Sequence, residues 1–364
     1  MENLLFTQNG GALIQKQIEC AIAEGRHETV VTGNYEIEEA VVLPSGFTVI
    51  LEDCHLRLKT GVYTNIFTNS ATAEMRKEYE KRDTDIHIIG RGRAILDGGE
   101  FNGLTERNWR EYNIPMYKNH LILFTNLEGF SITGIHLCNQ RYWSVNLTYC
   151  SLGLVRDIDI LADDGVLYAD GERDFDIDYR GLCAKHLPMM RNADGIDLRA
   201  GCHDILIENI TGFTEDDTVA LTSLPGDVTR WGAEGVCSDI YNVTIRNIKS
   251  SSWCAIIRLL NQGGMKLYNI LIDGVVDTSK GSSHMNRGLF AIRIGDRRLY
   301  STRHSTAEET YNIAVRNVFS RATTLVDLAG AITNCTIENV FGFDGYTTKI
   351  ENNAELFGLV KIEE

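Results

Sequence analysis

Apolar and polar side chains alternate along this chain in short runs, and one phrase keeps returning. A polar or aromatic residue and an Asn precede alternating apolar positions that close on Asn and an aliphatic. It reads Tyr241-Asn242-Val243-Thr244-Ile245-Arg246-Asn247-Ile248, and again Tyr311-Asn312-Ile313-Ala314-Val315-Arg316-Asn317-Val318. Variants run over 203–210, 268–275 and 334–340, with looser copies over 46–58, 84–95 and 130–137. Period-2 alternation bounded by Gly and Asn is the chemistry of strands and turns. Strands that recur in this way without hairpin turns predict an all-β fold, a right-handed parallel β-helix. Its inward residues would stack as an aliphatic ladder, with Asn laddering at the turns.

A second strand is expected in each coil. Ile196-Asp197-Leu198 superposes on Val219-Ala220-Leu221 at an offset of 23, and that stretch on Ile257-Arg258-Leu259 at an offset of 38. Val145-Asn146-Leu147, Ile292-Arg293-Ile294 and Val326-Asp327-Leu328 have the same form. The outward column then reads Asn146, Asp197, Ala220, Arg258, Arg293, Asp327, with polar residues of both signs over an aliphatic interior. Outward strand positions are commonly polar, but the crowded aspartates at the head of this column favour a binding groove.

Residues 11–24 break the alternation. Ala12, Leu13, Ile14, Ile18, Ala21 and Ile22 form a helical stripe, predicting a short helix that covers the open N-terminal end of the coil within a cap of residues 1–30. Four stretches do not repeat: 60–82, 100–119, 161–191 and 280–310. Loops of such length are usually functional. The third runs into the Asp194 strand and is expected to wall one side of the groove, which favours short substrates or attack at a chain end.

Length alone, 364 residues, suggests two or three domains of about 150 residues. Stacked coils share one core, however, and no linker or composition break interrupts them, so a single domain over 1–364 is expected. The formal net charge of −15 argues against nucleic acid or anionic membranes as partners. No basic, apolar leader opens the chain and no run approaches a membrane span. The nine cysteines are scattered, without metal-ligand spacing. They read as reduced and buried, on apolar strands as at Cys254, in a cytoplasmic protein. Seven acids within 163–178 lack the frame of an EF-hand and read as a solvated loop.

Two acidic motifs carry the chemistry. Asn192-Ala193-Asp194-Gly195 and Glu215-Asp216-Asp217 lie one coil apart, and the offset of 23 stacks Asp194 on Asp217 with Asp216 beside them. Carboxylates crowded together resist full ionisation, and such crowding usually marks acid/base chemistry.

These motifs, with Gly33-Asn34-Tyr35, Val42-Leu43-Pro44-Ser45-Gly46, Ile95-Leu96-Asp97-Gly98-Gly99 and Asn139-Gln140-Arg141-Tyr142-Trp143, resemble a polygalacturonase-type (family 28) glycoside hydrolase over about 33–275. The resemblance implies a pectin-lyase-like solenoid that hydrolyses glycosidic bonds with inversion and needs no cofactor or metal. By the family's pattern Asp216 is the general acid, Asp194 and Asp217 hold and deprotonate the attacking water, and Arg258 binds substrate. Asp197, Asn146, Asn192 and Arg293 belong to the same groove, and Trp143 is expected to stack on a sugar ring. The partner is an oligosaccharide, uronate-containing or neutral, probed from its end; a homo-oligomer stays open. Two departures concern specificity. Residues 218–257 hold no histidine where the family places Gly-His-Gly, and Leu260 stands where it places a lysine. A basic cluster of Arg287, Arg293, Arg297, Arg298 and Arg303, with His284 and His304, could grip an anionic sugar instead. The rival readings are a lyase or transferase, the lyase using Arg258 as base and the aspartates for calcium, and a non-catalytic carbohydrate-binding protein.

Overall fold

The computed structural model describes residues 5–100, 118–162, 193–224, 233, 235–262, 264–279, 288–295, 302–342 and 350–363, and the backbone of 166–167 and 173–174. Eighteen strands wind into one continuous sheet whose pairings are parallel. Because each strand meets the next only after a full coil, the result is a right-handed parallel β-helix, the hand that parallel crossovers take. A separate pair, Val166–Leu167 with Arg173–Asp174, is antiparallel.

Two columns of strands organise the coil. One runs through His203–Thr214, Ile240–Ser252, Leu267–Asp277 and Thr310–Ser320 into Thr324–Gly342, and contains the recurrent phrase in register: Val243 pairs with Ile270, Ile270 with Ile313, and Ile313 with Cys335. The other runs through Val145–Leu161, Ile196–Leu198, Val219–Ser223, Ala255–Asn261 and Phe290–Ile294. Its register follows the offsets read from sequence: Asn146 opposes Asp197, Asp197 opposes Ala220, Ala220 opposes Arg258, Arg258 opposes Arg293, and Arg293 opposes Asp327. On the inward side of this column Val145, Leu147, Ile196, Leu198, Val219, Leu221, Ile257, Leu259, Ile292, Ile294, Val326 and Leu328 are all buried in one core. Each such side chain removed from water stabilises the coil by about 1.5–3 kcal/mol.

The turns are held by an asparagine ladder. Asn242, Asn269, Asn312 and Asn334 all adopt left-handed backbone, with φ between 53° and 55°. Their side-chain amides chain together at 3.0 Å per step, and Asn242 donates onward to Asp204 at 2.9 Å. Asn is among the few L residues that enter this region readily, so the same residue both makes the bend and bonds across coils. A second ladder links Asn247 to Asn209 and Asn339 to Asn317.

The N-terminal helix spans Gly10–Ala23. Its buried stripe is narrower than the sequence implies: Gly10, Gly11, Ile14, Ile18 and Ala21 face the core, whereas Ala12, Leu13 and Ile22 are exposed. The two glycines explain the difference. A Cβ at Gly11 would lie 2.2 Å from the Glu39 carbonyl oxygen, so the helix packs backbone to backbone through this face.

The stretch 60–82 is not a plain loop. It contains a strand, Phe67–Asn69, that joins the sheet, and short helices at Ser70–Ala73 and Tyr79–Lys81. Most of 100–119 and 161–191, and parts of 280–310, lie outside the described residues, as do the acids of 163–178 as side chains. Cys54, Cys138, Cys150, Cys202 and Cys335 are buried as expected, but Cys20 and Cys237 are exposed. Cys254 is half-exposed and sits in a bend before Ala255–Asn261, not on a strand. Among the described residues no helix is long and apolar enough to cross a membrane.

Candidate active site

Asp194 and Asp217 enter the site from adjacent coils that approach closely because of Gly195. A Cβ there would lie 2.4 Å from the Thr218 carbonyl oxygen, so any larger residue would push the coils apart. Gly195 N–H donates to the Asp217 carbonyl at 2.9 Å, and Asp217 N–H returns a bond to Asp194 Oδ1 at 2.9 Å. Glu215 is spent on structure, its carboxylate accepting the Ala193 N–H at 3.2 Å. Asp216 is the most open of the three aspartates; Asp194 and Asp217 are buried. Its carbonyl is clasped by the hydroxyls of Thr214, at 2.8 Å, and Ser252, at 2.5 Å.

The electrostatics follow from the crowding. Burial, then the charges of Asp197, Asp216 and Asp217, push the Asp194 carboxyl well above the usual carboxylate range. Burial raises Asp217 too, opposed by the guanidiniums of Arg258 and Arg293. Arg258 Nη1 stands 3.6 Å from Asp217 Oδ2. Asp197, only 1% exposed, is raised by burial against the opposing pull of Arg199. Among the described residues neither of its oxygens meets a donor. Its charge in turn helps push up the Asp194 carboxyl, so the two resist ionising together.

The remaining predicted residues divide. Asn146, below Asp197 in the column, is buried and its amide lies 3.3 Å from His120 Nε2. Arg293 pairs with Asp327 at 3.3 Å, continuing the charge column one coil beyond Arg258. Trp143 departs from the expectation of an open ring for sugar stacking. It is buried, and its ring is engaged by Tyr142 at 4.7 Å, His120 at 5.4 Å and the Arg199 guanidinium at 4.8 Å. His120 is pushed down to about 3 by burial and is therefore neutral. Asn192 lies outside the described residues, as do Arg287, Arg297, Arg298 and His284. Arg303 is committed to an ion pair with Glu309, which takes it out of the basic cluster.

Sequence reading missed Cys254. Its Sγ and carboxylate oxygens of Asp216 and Asp217 all lie within 4.8 Å of one another. The signal was available: the 38-residue offset that takes Val219 to Ile257 also takes Asp216 to Cys254. These three side chains are the described donors best placed for a metal ion, although Arg258 and Arg293 already supply positive charge to Asp217.

Comparison with known proteins identifies the family. The model of glycosyl hydrolases family 28 matches residues 36–234, more than half of the chain and the span containing all three aspartates. No curated protein sequence matches. Among solved structures, the chain is similar to an exopolygalacturonase from Thermotoga maritima, with 14% identity, a TM-score of 0.57 and coverage of 98% of this chain and 88% of that one. It is similar to a polygalacturonase from Erwinia carotovora, with 15% identity, a TM-score of 0.57 and coverage of 97% and 95%. A pentasaccharide-bound tailspike protein of the E. coli bacteriophage HK620 shares 12% identity and a TM-score of 0.55; the match covers 94% of this chain but 61% of the tailspike. At such identities the likeness is one of fold, whereas the family match covers more than half of the chain: the chain belongs to glycosyl hydrolases family 28 and is a glycoside hydrolase.

Proposed function

We propose that this glycoside hydrolase cleaves pectic or related oligosaccharides with inversion of configuration, removing residues from a chain end. Asp216, the most open aspartate, gives its proton to the leaving glycosidic oxygen. Asp194 and Asp217 hold a water on the opposite side of the anomeric carbon and take its proton as the new C–O bond forms. In an inverting enzyme one carboxyl protonates the leaving oxygen while a carboxylate on the other side activates a water for direct displacement. The observation that carries the reading is the Asp194–Asp217 clasp with Asp216 beside it. It makes one electrostatic unit in which complete ionisation is opposed by burial and mutual repulsion.

Arg258 speaks against the lyase reading. A lyase base must be deprotonated, and a guanidinium beside Asp217 stays charged. Its place in the column, with Arg293 above, suits instead an anionic or strongly hydrogen-bonding sugar. The length of the non-repeating stretch 161–191, read from the sequence, supports short substrates.

The test is release of reducing ends from pectic and neutral oligosaccharides, wild type beside Asp216→Asn, with and without chelator. Chelator-insensitive release that the substitution abolishes, with product of inverted anomeric configuration, supports the proposal. Chelator-sensitive, ultraviolet-absorbing products would assign a lyase, and binding without turnover a carbohydrate-binding protein.

A further inference from the structure

Cys254 is the functional group at this site that the catalytic assignment leaves unused. The bend carrying it is tied to the acid. Ser252 Oγ donates to the Asp216 carbonyl at 2.5 Å and accepts the Cys254 N–H at 2.9 Å. The next coil fixes the other side, with Phe290 N–H on the Cys254 carbonyl at 2.9 Å. One serine hydroxyl therefore sets the spacing between the backbone of Asp216 and that of Cys254. The side chains follow, with Sγ within 4.8 Å of both carboxylates, and among the described residues the buried Oδ1 of Asp217 meets no donor in this arrangement, so a turn of the thiol toward it would fill that place.

We propose that Cys254 is a positioning residue for hydrolysis: its thiol donates to Asp217 and orients that carboxylate toward the attacking water. The inference rests on the catalytic roles proposed above. Residues 218–257 contain no histidine, so no imidazole supplies this contact from the coil that carries Cys254. An S–H is a weak donor, but here it faces a buried anion. Burial and the charges of Asp217 and Asp216 keep the thiol well above its usual range, against the opposing pull of Arg258 and Arg293. It therefore remains a donor throughout the pH range in which an imidazole would lose a proton. In one direction the thiol orients Asp217, and in the other it favours that group's charged form.

The experiment compares wild type, Cys254→Ala and Cys254→Ser. It reads kcat, KM and the pH dependence of kcat on the released oligosaccharide, and the carboxyl titration of Asp217 by carbon NMR of the substrate-free protein. Cys254→Ala removes the donor. Its kcat is expected to fall about tenfold to a hundredfold with KM little changed. Losing a hydrogen bond to the charged form raises the Asp217 pKa, so the acidic limb of the profile and the NMR titration both move to higher pH. Cys254→Ser keeps a donor and returns most of the rate and the titration. An Ala variant with wild-type kcat and an unmoved Asp217 titration overturns the proposal. If the wild type proves inactive on every sugar, the catalytic reading fails separately, and the NMR titration alone still decides whether the thiol bonds Asp217.

Discussion

The backbone N–H of Asp217 donates to Asp194 Oδ1 at 2.9 Å across a single 23-residue coil. This bond makes the stacking of coils and the assembly of the site one event. Asp194 does two jobs, as acceptor and as charge, and substitution can separate them. Asp194→Asn keeps an oxygen for the Asp217 N–H but removes the base; kcat should fall about 10²–10⁴-fold with the fold intact. Asp194→Ala orphans a buried donor as well, and should be about 1–3 kcal/mol less stable than Asp194→Asn in denaturant unfolding. Equal stabilities would show that the bond contributes nothing to the coil.

Asp197 gives a pH signature. Its folded pKa is raised above the unfolded value. The native state therefore binds more protons than the unfolded chain, and stability is lost as pH rises through the folded pKa. Asp197→Asn cannot ionise and should escape that loss. The variant is expected to melt roughly 2 °C or more above wild type at pH 7, with the gain shrinking below the unfolded pKa. A lower melting temperature at pH 7 would mean that the ionised form has a partner after all.

Arg258 tests the charge column. Removing it with Arg258→Ala leaves Asp217 buried without its nearest guanidinium. Breaking a buried pair in this way should destabilise the protein by about 3 kcal/mol at neutral pH, the low end for such pairs given the 3.6 Å separation. Asp217 becomes harder to ionise, so the acidic limb of the kcat profile should shift upward. Kinetics on anionic and neutral oligosaccharides then separate roles: a rise in KM confined to the anionic sugar assigns Arg258 to substrate binding.

Asn269 tests the ladder independently of catalysis. It gives one amide bond to Asn242 and accepts another from Asn312, at a φ of 55°. Asn269→Ala loses both bonds and places a Cβ residue without polar compensation in left-handed backbone. A loss of about 2 kcal/mol is expected, with kcat unchanged because the ladder lies on the other strand column. A catalytic defect matching the stability loss would mean that the two columns are coupled.

Much of the coil was legible because its periodicities are local. Tyr241-Asn242-Val243 and Tyr311-Asn312-Ile313 show the turn, the strand and the inward position within a few residues, and the offsets of 23 and 38 carry Asp194 to Asp217 and Ala220 to Arg258. The same arithmetic would have reached Cys254. A cysteine after Trp253, however, resembles a core hydrophobe in sequence.

What the sequence by itself determined is which residues share a column, because in a parallel coil register is set by the alternation of inward and outward side chains and a slip of one residue would bury every polar position. What only the tertiary structure decided is how each position is occupied. Leu13 and Ile22 look like core and are exposed, since two glycines bring the helix down on another face. Trp143 looks like a sugar platform and is covered by Tyr142 beside it and by His120 and Arg199, which come from other parts of the chain. Asp197 looks like any outward aspartate and is enclosed with no donor among the described residues. Burial, ring stacking and the protonation of coupled carboxyls depend on neighbours distant in the chain, and a local pattern cannot supply them.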